Sequence, residues 1–513
     1  MKLYSAHQAQ QLDKTAIEQL GMPGILLMKR AAMAALAHIQ THYPAVQKLH
    51  IICGIGNNGG DGYMLGQLAT MAGYQVEMFQ VGPTHKIKGD ALTALHELVD
   101  CGLNPYPLTP QALTDAELII DAIFGIGLKR PVEGQFAEVI QLINTHAKQN
   151  LVPILALDVP SGIDATTGAK LGIATQATHT LSFIVPKAGL YQAEGKAHAG
   201  HIFIHDLFLH QEQPELILQT PYIAETLNTQ AATLISNWLQ RPANTHKGSY
   251  GTALLIGGDQ SMMGALLLAG KACLTTGAGL TQLVTQPAHQ TAITQAQPEL
   301  MVFEASQLAA RLSPAKAIGI GPGLGQKRWG KALFEQVLSH LLTDESKHWV
   351  LDADALNLLA AQPSLEKRFS NRVILTPHPG EAARLLKTST DVIQQDRLEA
   401  ISLLHETYGG IWILKGCGTL IFDGASTWLC TQGNAGMATG GMGDVLTGIL
   451  TSLLAQGFSP LAAAQLGVFL HAQAADQAIQ NQNLPTLSPS DVIQQLKTLK
   501  AVVHNQTDTS ILG

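Results

Sequence analysis

Short apolar segments alternate with helical patterns along most of the chain. In its first part, runs of mainly apolar residues predict buried strands. These runs are Leu49–Cys53, Gln75–Val81, Leu118–Ile123 and Leu151–Asp158. Two predicted helices, about Ser5–Leu20 and Gly24–His42, precede them. The alternation of strands and helices predicts a parallel sheet covered by helices on both faces.

The alternation stops near His210 and then resumes. Residues 211–229 contain two prolines and show no clear period, so we predict a linker there, between domains at 1–210 and 230–502. A second series of predicted strands follows: Thr252–Ile256, Leu280–Val284, Ala317–Ile320, Trp349–Leu351, Val373–Thr376, Ile411–Lys415 and Thr419–Phe422. The last two strands flank a glycine-containing turn, which predicts a hairpin. Helices over about Asp444–Gln456 and Pro460–Gln480 come before a polar tail that begins at Asn481.

Composition narrows the class of protein. Of the 513 residues, 46% are apolar and only 13% are charged, with a net charge of −7. These values exclude a disordered chain, and no basic segment suggests nucleic-acid binding. The five cysteines are scattered without a CxxC pair, which is typical of a reducing compartment. No apolar segment resembles a signal peptide or a membrane span, so we expect a soluble, cytoplasmic protein. We also expect a homo-oligomer that acts on small molecules.

A glycine-rich loop follows the first of these strands. The sequence GIGNNGGDG at residues 54–62 comes directly before a predicted helix, so its backbone N–H groups and the helix end would face an anion. Three of its glycines fit the GxGxxG pattern, with Glu77 where a dinucleotide fold keeps its ribose-binding acid. A dehydrogenase is therefore one alternative. Asp61 counts against it, because a carboxylate within the loop would repel a pyrophosphate.

Three other segments also follow predicted strands. They are Asp121–Pro131, Asp158–Asp164 and Pro186–Leu190. Because parallel strands end at one edge of a sheet, these loops would gather polar side chains in one crevice. The side chains are those of Asn58, Asp61, Asp121, Asp158 and Ser161. Oxygen ligands beside an anion-binding loop suggest a bound cation, and an acid in such a cleft is a candidate proton carrier.

Four motifs in this order, GIGNNGGDG, DAIFGIGLKRP, DVPSGID and VPKAGL, resemble the NAD(P)H-hydrate epimerase domain over about residues 1–210. The resemblance implies a Rossmann-like fold, with Asp158 in nucleotide binding and proton transfer. It implies further contacts with the hydrated nucleotide from Asn57, Asn58, Gly59, Gly60, Asp61, Gly125, Ile126, Gly127, Leu128, Lys129, Arg130 and Pro131. It also implies a K⁺ ion on Asn58, Asp121 and Ser161. Ile126 stands where the family usually has threonine.

The second half contains a glycine-rich segment with an acid in it. The sequence NAGMATGGMGDVL at residues 434–446 has glycines at 440, 441 and 443, directly before an apolar helix. The unobstructed N–H groups would stabilise a developing negative charge. We expect Asp444 to cap this helix and to take a proton from a hydroxyl group. A plain helix N-cap is the simpler alternative.

Other loops of the second half could complete a site. KGCGT at 415–419 would offer a cation and a hydroxyl to a phosphate, and TPHPGE at 376–381 holds His378 between two prolines. GPGLG at 321–325 and LDADALN at 351–357 are similar loops at strand ends.

These motifs, with HKGSYG at 246–251, resemble the ribokinase-like superfamily and, more narrowly, the ADP-dependent NAD(P)H-hydrate dehydratase over about residues 230–500. The resemblance places the adenine nucleotide on Lys415, Gly416, Cys417, Gly418, Thr419 and Gly443. It places the hydrated nicotinamide nucleotide on Ala253, Gly323, His378 and Asp444. Mg²⁺ is expected with the ADP, without assigned ligands.

The two resemblances together predict an α/β protein of two domains, a Rossmann-like parallel sheet followed by a ribokinase-like domain. The first domain would interconvert the R and S forms of the hydrated nucleotides NADHX and NADPHX. The second would dehydrate the S form with ADP, giving NAD(P)H, AMP and phosphate. Two alternatives remain at this point. The second domain could be a small-molecule kinase of the hydroxymethylpyrimidine type, and the first a non-catalytic scaffold, although the acids at 61, 121 and 158 argue against a scaffold.

Overall fold

The chain divides into two compact units. The computed structural model describes residues 1–482 and 486–509. Two short segments lie outside the described residues: 483–485, within the predicted second domain, and 510–513, in the predicted polar tail. The first unit comprises residues 2–224 and the second begins at Glu225. This division falls inside the predicted linker, 211–229, which itself contains the helix Pro214–Gln219 and the strand Ala224–Thr226. Among the described helices, none is both long and apolar enough to cross a membrane.

The first unit is built on a parallel sheet, as the sequence predicts. The strands of this unit are β1 (Lys2–Leu3), β2 (Lys48–Cys53), β3 (Gln75–Gln80), β4 (Leu118–Ala122), β5 (Ile154–Leu157), β6 (His179–Phe183) and β7 (His201–His205), and β2 to β7 form this sheet. The sheet has the order β3-β2-β4-β5-β6-β7, and all neighbouring strands in it are parallel. Strand β3 pairs with one side of β2, and strand β4 pairs with the other side. The strand order therefore reverses between β2 and β4, which is where open α/β sheets bind ligands.

Helices cover this sheet. They are α1 (Ala6–Glu18), α2 (Gly24–His42), α3 (Asn57–Met71), α4 (Gly89–Asp100), α5 (Gly134–Asn150), α6 (Ala193–His198), α7 (Leu209–Glu212) and α8 (Pro214–Gln219), with short 3₁₀ helices at Thr84–Lys86, Pro110–Leu113 and Ala188–Tyr191. The predicted leading helix pair is confirmed as α1 and α2. A capping box fixes the start of α1, because the Ser5 side chain accepts from the Gln8 N–H while the Gln8 side chain accepts from the Ser5 N–H.

The second unit has a larger, mixed sheet. Its strands are β8 (Ala224–Thr226), β9 (Thr252–Ile256), β10 (Leu280–Thr285), β11 (Met301–Glu304), β12 (Ala317–Ile320), β13 (His348–Leu351), β14 (Phe369–Leu375), β15 (Gly409–Leu414), β16 (Leu420–Phe422) and β17 (Thr427–Leu429). Their order is β8-β17-β16-β15-β14-β13-β12-β9-β10-β11. The pairs β15–β16 and β16–β17 are antiparallel, which confirms the predicted hairpin, and the other pairs are parallel.

Helices of the second unit pack on both faces of this sheet. They are α9 (Asn228–Leu239), α10 (Met263–Thr276), α11 (Gln290–Ala296), α12 (Leu308–Leu312), α13 (Arg328–Thr343), α14 (Asp354–Ala360), α15 (Pro379–Leu385), α16 (Thr390–Gln395), α17 (Arg397–Tyr408), α18 (Met442–Ala455), α19 (Pro460–Gln482) and α20 (Pro489–Thr509), with 3₁₀ helices at Lys247–Tyr250, Pro287–His289, Ala305–Gln307, Pro363–Leu365 and Ala435–Met437. The predicted polar tail is wrong where α20 forms. Val492, Leu496 and Leu499 of α20 repeat every three or four residues and are buried in the core.

Candidate active sites

A cavity opens at the carboxyl ends of the parallel strands in the first unit. Its volume is about 570 Å³, which is within the range of small-molecule pockets. It is lined by the loops after β2 and β4, by the segments after β5 and β6, and by one face of α1. The cavity therefore lies at the point where the strand order reverses.

Most of the predicted ligand residues of the first unit line this cavity. They are Asn57, Asn58, Asp61, Gly125, Ile126, Gly127, Leu128, Lys129, Arg130 and Asp158. Gly59 and Gly60 are buried in the first turn of α3 and do not line it, and Pro131 is exposed. A Cβ atom at Gly125 would lie 3.2 Å from a carboxylate oxygen of Asp158 and 3.4 Å from the Cβ of Asn58. The close approach of these three residues thus depends on glycine at 125.

A buried lysine holds Asp158 in place. The Nζ of Lys187, which is 1% exposed, donates to Oδ1 of Asp158 at 2.6 Å. The backbone N–H of Phe183 donates to the same oxygen at 3.3 Å. Asp158 has a φ of 67°, and Ile184, which also lines the cavity, has a φ of 66°. Left-handed backbone is costly for a β-branched residue such as isoleucine, and strain of this kind is concentrated at functional sites.

Asp121, at the end of β4, is bound to Ser161. Its Oδ1 accepts from the Ser161 hydroxyl at 2.6 Å, and its Oδ2 accepts from the Ser161 N–H at 2.8 Å. Burial raises the pKa of Asp121, although hydrogen bonds from Ser161, Thr175 and Ile123 oppose the rise. Asn58 is also buried, and neither polar atom of its amide group has a hydrogen-bond partner among the described residues. An unpartnered buried amide requires an explanation, such as a ligand or an ion.

Two further carboxyl groups face the same cavity. Burial, and then the charge of Asp158, raises the pKa of Asp61 well above its usual value. Burial raises the pKa of Asp13 to about 6, although the charge of Lys187 opposes the rise. Asp13 is not among the site residues that the sequence predicts. The sequence does contain one signal for Asp13. This residue lies four residues from both Ala9 and Ile17, a spacing that places all three on one face of α1, and all three line the cavity.

In the second unit, Asp444 lies in the first turn of α18. The expected cap is wrong: α18 begins at Met442, Gly441 is its N-cap, and Asp444 is the third helical residue. Burial, with the charge of Asp352, raises the pKa of Asp444 to about 7, although the charge of Lys415 opposes the rise. A carboxyl group that titrates near neutral pH is suited to act as a general base.

Asp352, which follows β13, joins four elements at this site. Its carboxylate is 1% exposed and accepts from Thr376 at 2.8 Å, Lys415 at 2.7 Å and Thr447 at 2.8 Å. Burial lowers the pKa of Lys415, but the charges of Asp352 and Glu381 outweigh burial and raise it. Lys415 is therefore a charged, ion-paired lysine. Asp352 belongs to the LDADALN loop at 351–357, for which the sequence predicts a place at a strand end but no role for Asp352 itself.

The Lys415 side chain lies against the start of α18. A Cβ atom at Gly443 would lie 3.2 Å from the Nζ of Lys415, so a side chain at residue 443 would crowd the lysine. Arg397 fixes the rest of the predicted nucleotide loop, Lys415–Thr419. Its guanidinium group donates to the carbonyl groups of Leu414 and Gly418, both at 3.1 Å. Burial lowers the pKa of Arg397 to about 10.

The residues predicted to bind the hydrated nucleotide in the second unit do not all converge. His378 caps α15, where its Nδ1 accepts from the Gly380 N–H at 3.0 Å. Burial, and then the charge of Lys415, lowers the pKa of His378. Gly323 follows β12 at the carboxyl edge of the sheet, but Ala253 is the second residue of β9 and is fully buried between β10 and β12. The structure does not bring Ala253 to the loops.

Two family models match the chain. One described as YjeF-related protein N-terminus matches residues 25–189, and one described as NAD(P)H-hydrate dehydratase matches residues 253–498. The first match falls in the first unit and the second match in the second unit.

Curated relatives match nearly the whole chain. The bifunctional NAD(P)H-hydrate repair enzyme Nnr of Coxiella burnetii is 40% identical over 501 residues, covering 97% of this chain and 99% of that protein. The enzyme of the same name from Escherichia coli K12 is 38% identical, covering 90% and 87%. Among solved structures, an ADP/ATP-dependent NAD(P)H-hydrate dehydratase from Bacillus subtilis, co-crystallised with ATP and Mg²⁺, is 31% identical with a TM-score of 0.46, covering 52% of this chain and 97% of that one.

Proposed function

We infer the function from one premise: the chain belongs to the family of bifunctional NAD(P)H-hydrate repair enzymes. The observation that carries it is the match to enzymes of that name over nearly the full length of both proteins. The chain is accordingly an epimerase of the R and S forms of NADHX and NADPHX and an ADP-dependent dehydratase of the S form. These relatives favour that function over a kinase of the hydroxymethylpyrimidine type with a scaffold domain. We further propose that the enzyme is a cytoplasmic homo-oligomer.

In the dehydratase site we assign the proton transfer to Asp444. Its carboxylate takes the proton of the ring hydroxyl as that oxygen attacks the β-phosphorus of ADP, and the bond between the β-phosphorus and the bridging oxygen breaks to release AMP. The N–H groups at the start of α18 stabilise the transferring phosphoryl group. Loss of phosphate from the ring, together with a proton from the adjacent ring carbon, then forms the carbon–carbon double bond of NAD(P)H. We propose that ADP binds along Lys415–Thr419 and Gly443, and that His378 and Gly323 contact the hydrated nucleotide.

Magnesium would enter this site on the nucleotide. Among the described residues, no group of three or more histidine, cysteine, aspartate or glutamate side chains converges to hold a metal ion. Mg²⁺ commonly binds through substrate phosphates, waters and only one or two carboxylates, so these residues fit an ion held mainly by ADP. When bound, it would neutralise phosphate charge. The acids Asp352 and Glu381 lie beside Lys415 at the same site.

In the epimerase site we assign the hydrated nucleotide to the loops at residues 57–61 and 125–131, and proton transfer to Asp158. Potassium fits the same site. The side chains of Asn58, Asp121 and Ser161 offer oxygen ligands with one formal charge, and the amide of Asn58 has no partner among the described residues. When bound, the ion would offset the charge of Asp121 beside an anionic ligand.

Replacing Asp121 with asparagine is expected to abolish the response of the protein to potassium. In the wild type, KCl should raise the melting temperature of the first unit above its value in NaCl of equal ionic strength, because a bound ion stabilises only the folded state. The variant should melt at the same temperature in both salts and epimerise more slowly, with unchanged dehydration of the S form. An equal potassium response in variant and wild type would refute the assignment.

The complete reaction tests the proposed function. Purified protein with excess ADP should convert a mixture of R and S NADHX entirely to NADH, measured by absorbance at 340 nm. AMP and phosphate should appear in equal amounts with NADH. Omitting ADP should stop NADH formation but not the exchange of the two epimers, which chromatography separates. Release of AMP with a hydroxymethylpyrimidine, and none with NADHX, would support the kinase alternative.

A further inference from the structure

The epimerase cavity contains an acid that the motifs leave unassigned. Asp13 lies in α1, on the face that also presents Ala9, Gln10 and Ile17 to the cavity. The side-chain amide of Gln10 donates to the carbonyl of Ile126 at 3.2 Å. That contact fixes this face of α1 against the loop after β4. Asp13 makes no hydrogen bond or ion pair within the described part of the chain.

Asp13 and Asp158 differ in their surroundings. The carboxylate of Asp158 is paired with the Nζ of Lys187 at 2.6 Å. Asp13 has no such partner, and burial raises its pKa to about 6. Two carboxyl groups in one site, one ion-paired with a lysine and the other buried without such a partner, are typical of an acid–base pair. The other charged or titratable groups lining the cavity are Asp61, Asp90, Lys129 and Arg130.

We propose that Asp13 is the second proton-transferring residue of the epimerase site and acts together with Asp158. This inference rests on the proposed epimerase function. The epimers differ at the ring carbon that bears the added hydroxyl and is bonded to the ring nitrogen. Inverting that carbon without a co-reactant requires one group that accepts a proton and one that donates a proton.

The chemistry is a reversible ring opening. Asp158 takes the hydroxyl proton as the carbon–oxygen bond becomes a carbonyl. The carbon–nitrogen bond breaks, its electron pair goes to the nitrogen, and the nitrogen takes the proton of Asp13. Rotation about the adjacent carbon–carbon bond presents the other carbonyl face to the nitrogen. The nitrogen attacks that face, and each carboxyl group recovers its original protonation state. The carbon–oxygen bond stays intact, in contrast to the second unit, where ADP is consumed to break it.

The test uses the full-length protein without ADP, so that the dehydratase is silent. Epimerisation is followed by chromatography from the purified S form of NADHX, in water enriched in ¹⁸O. For Asp13→Asn we expect a rate about 10²–10⁴-fold lower. The wild-type rate should fall as pH rises through about 6, because the acid loses its proton, and this limb should be missing in the variant. Early wild-type product should contain no ¹⁸O.

Control variants separate catalysis from folding. Asp100→Asn, at an exposed acid that ends α4, should epimerise like the wild type. Asp13→Asn should melt no lower than the wild type, because it removes a buried charge, and Asp13→Glu should recover part of the rate and of the pH limb. A normal rate in Asp13→Asn, a retained pH limb, ¹⁸O in early product or a lower melting temperature would each overturn the inference. Absence of epimerisation in the wild type would instead overturn the epimerase function itself.

Discussion

Replacing Asp444 with asparagine is expected to slow ADP-dependent dehydration about 10²–10⁴-fold, the range for loss of a positioned general base. Asparagine keeps the shape of the side chain in the first turn of α18 but cannot accept the hydroxyl proton. The rate of NADH formation from the pure S form at 340 nm measures the loss. Binding of ADP, measured by calorimetry, should remain, because the proposed nucleotide loop and its Arg397 contacts are unchanged.

The pH profile adds a second measure of Asp444. Its pKa is raised to about 7, and only the ionised form accepts a proton. Dehydration by the wild type should therefore fall as pH decreases through about 7, with the slope of one proton. The matched control is Asp391→Asn, an exposed acid in the first turn of α16, which should keep both the rate and the profile. Near-normal dehydration by Asp444→Asn would remove Asp444 from the mechanism.

Replacing Asp158 with asparagine is expected to split NADH recovery from mixed epimers into two phases. The fast phase should match the S fraction, and the slow phase should follow spontaneous epimerisation. Asparagine is preferable to alanine, because it tolerates the left-handed backbone at φ 67°. The change leaves the buried charge of Lys187 without its partner, which costs about 3–5 kcal/mol of stability. Thermal melting of the variant must therefore accompany the assay.

A mixing experiment controls for that cost. The Asp444→Asn protein has an unchanged epimerase unit, so adding it to the Asp158→Asn protein should restore a fast second phase as substrate diffuses between them. Asp100→Asn should give a single complete conversion. If Asp158→Asn alone consumes both epimers in one rapid phase, either the dehydratase accepts both forms or Asp158 carries no proton. Chromatography of the remaining R form would distinguish these outcomes.

The sequence predicts those strands and helices that are indicated by apolar residues close together along the chain. The structure confirms the predicted central strands and the helices α1 and α2. These elements could be predicted because the apolar residues and caps that indicate each of them lie close together in the sequence. The sheet-edge strands β7 and β11 were missed, since they are only partly buried and include polar residues. Helix α20 was missed because only every third or fourth residue of it meets the core, and the rest of the segment is polar.

The candidate sites follow a similar division. Motif loops at strand ends are visible because glycine, proline and aspartate cluster there, and most of these residues in the first unit line one cavity. Contacts between distant segments are not visible. Arg397 supports a loop that begins 18 residues later, and no local pattern connects Asp13 to Asp158. The motifs predict a ligand contact at Ala253, whereas the strand buries this residue three residues before the carboxyl end of β9. The contact of Ala253 with the ligand stays a prediction.

The contacts of Asp352 constrain how this part of the protein can diverge in evolution. Its carboxylate is the shared acceptor for Thr376 after β14, Lys415 after β15 and Thr447 in α18. Loss of Asp352 removes the shared acceptor of all three donors, and loss of Thr447 removes the donor to Oδ2 of Asp352. Either change leaves a polar group of the interior without this bond, at a cost of about 1–3 kcal/mol, and more for a charge. Single substitutions here are therefore selected against even when they spare the reacting atoms. Change at these four positions should be rare and should occur in compensating pairs.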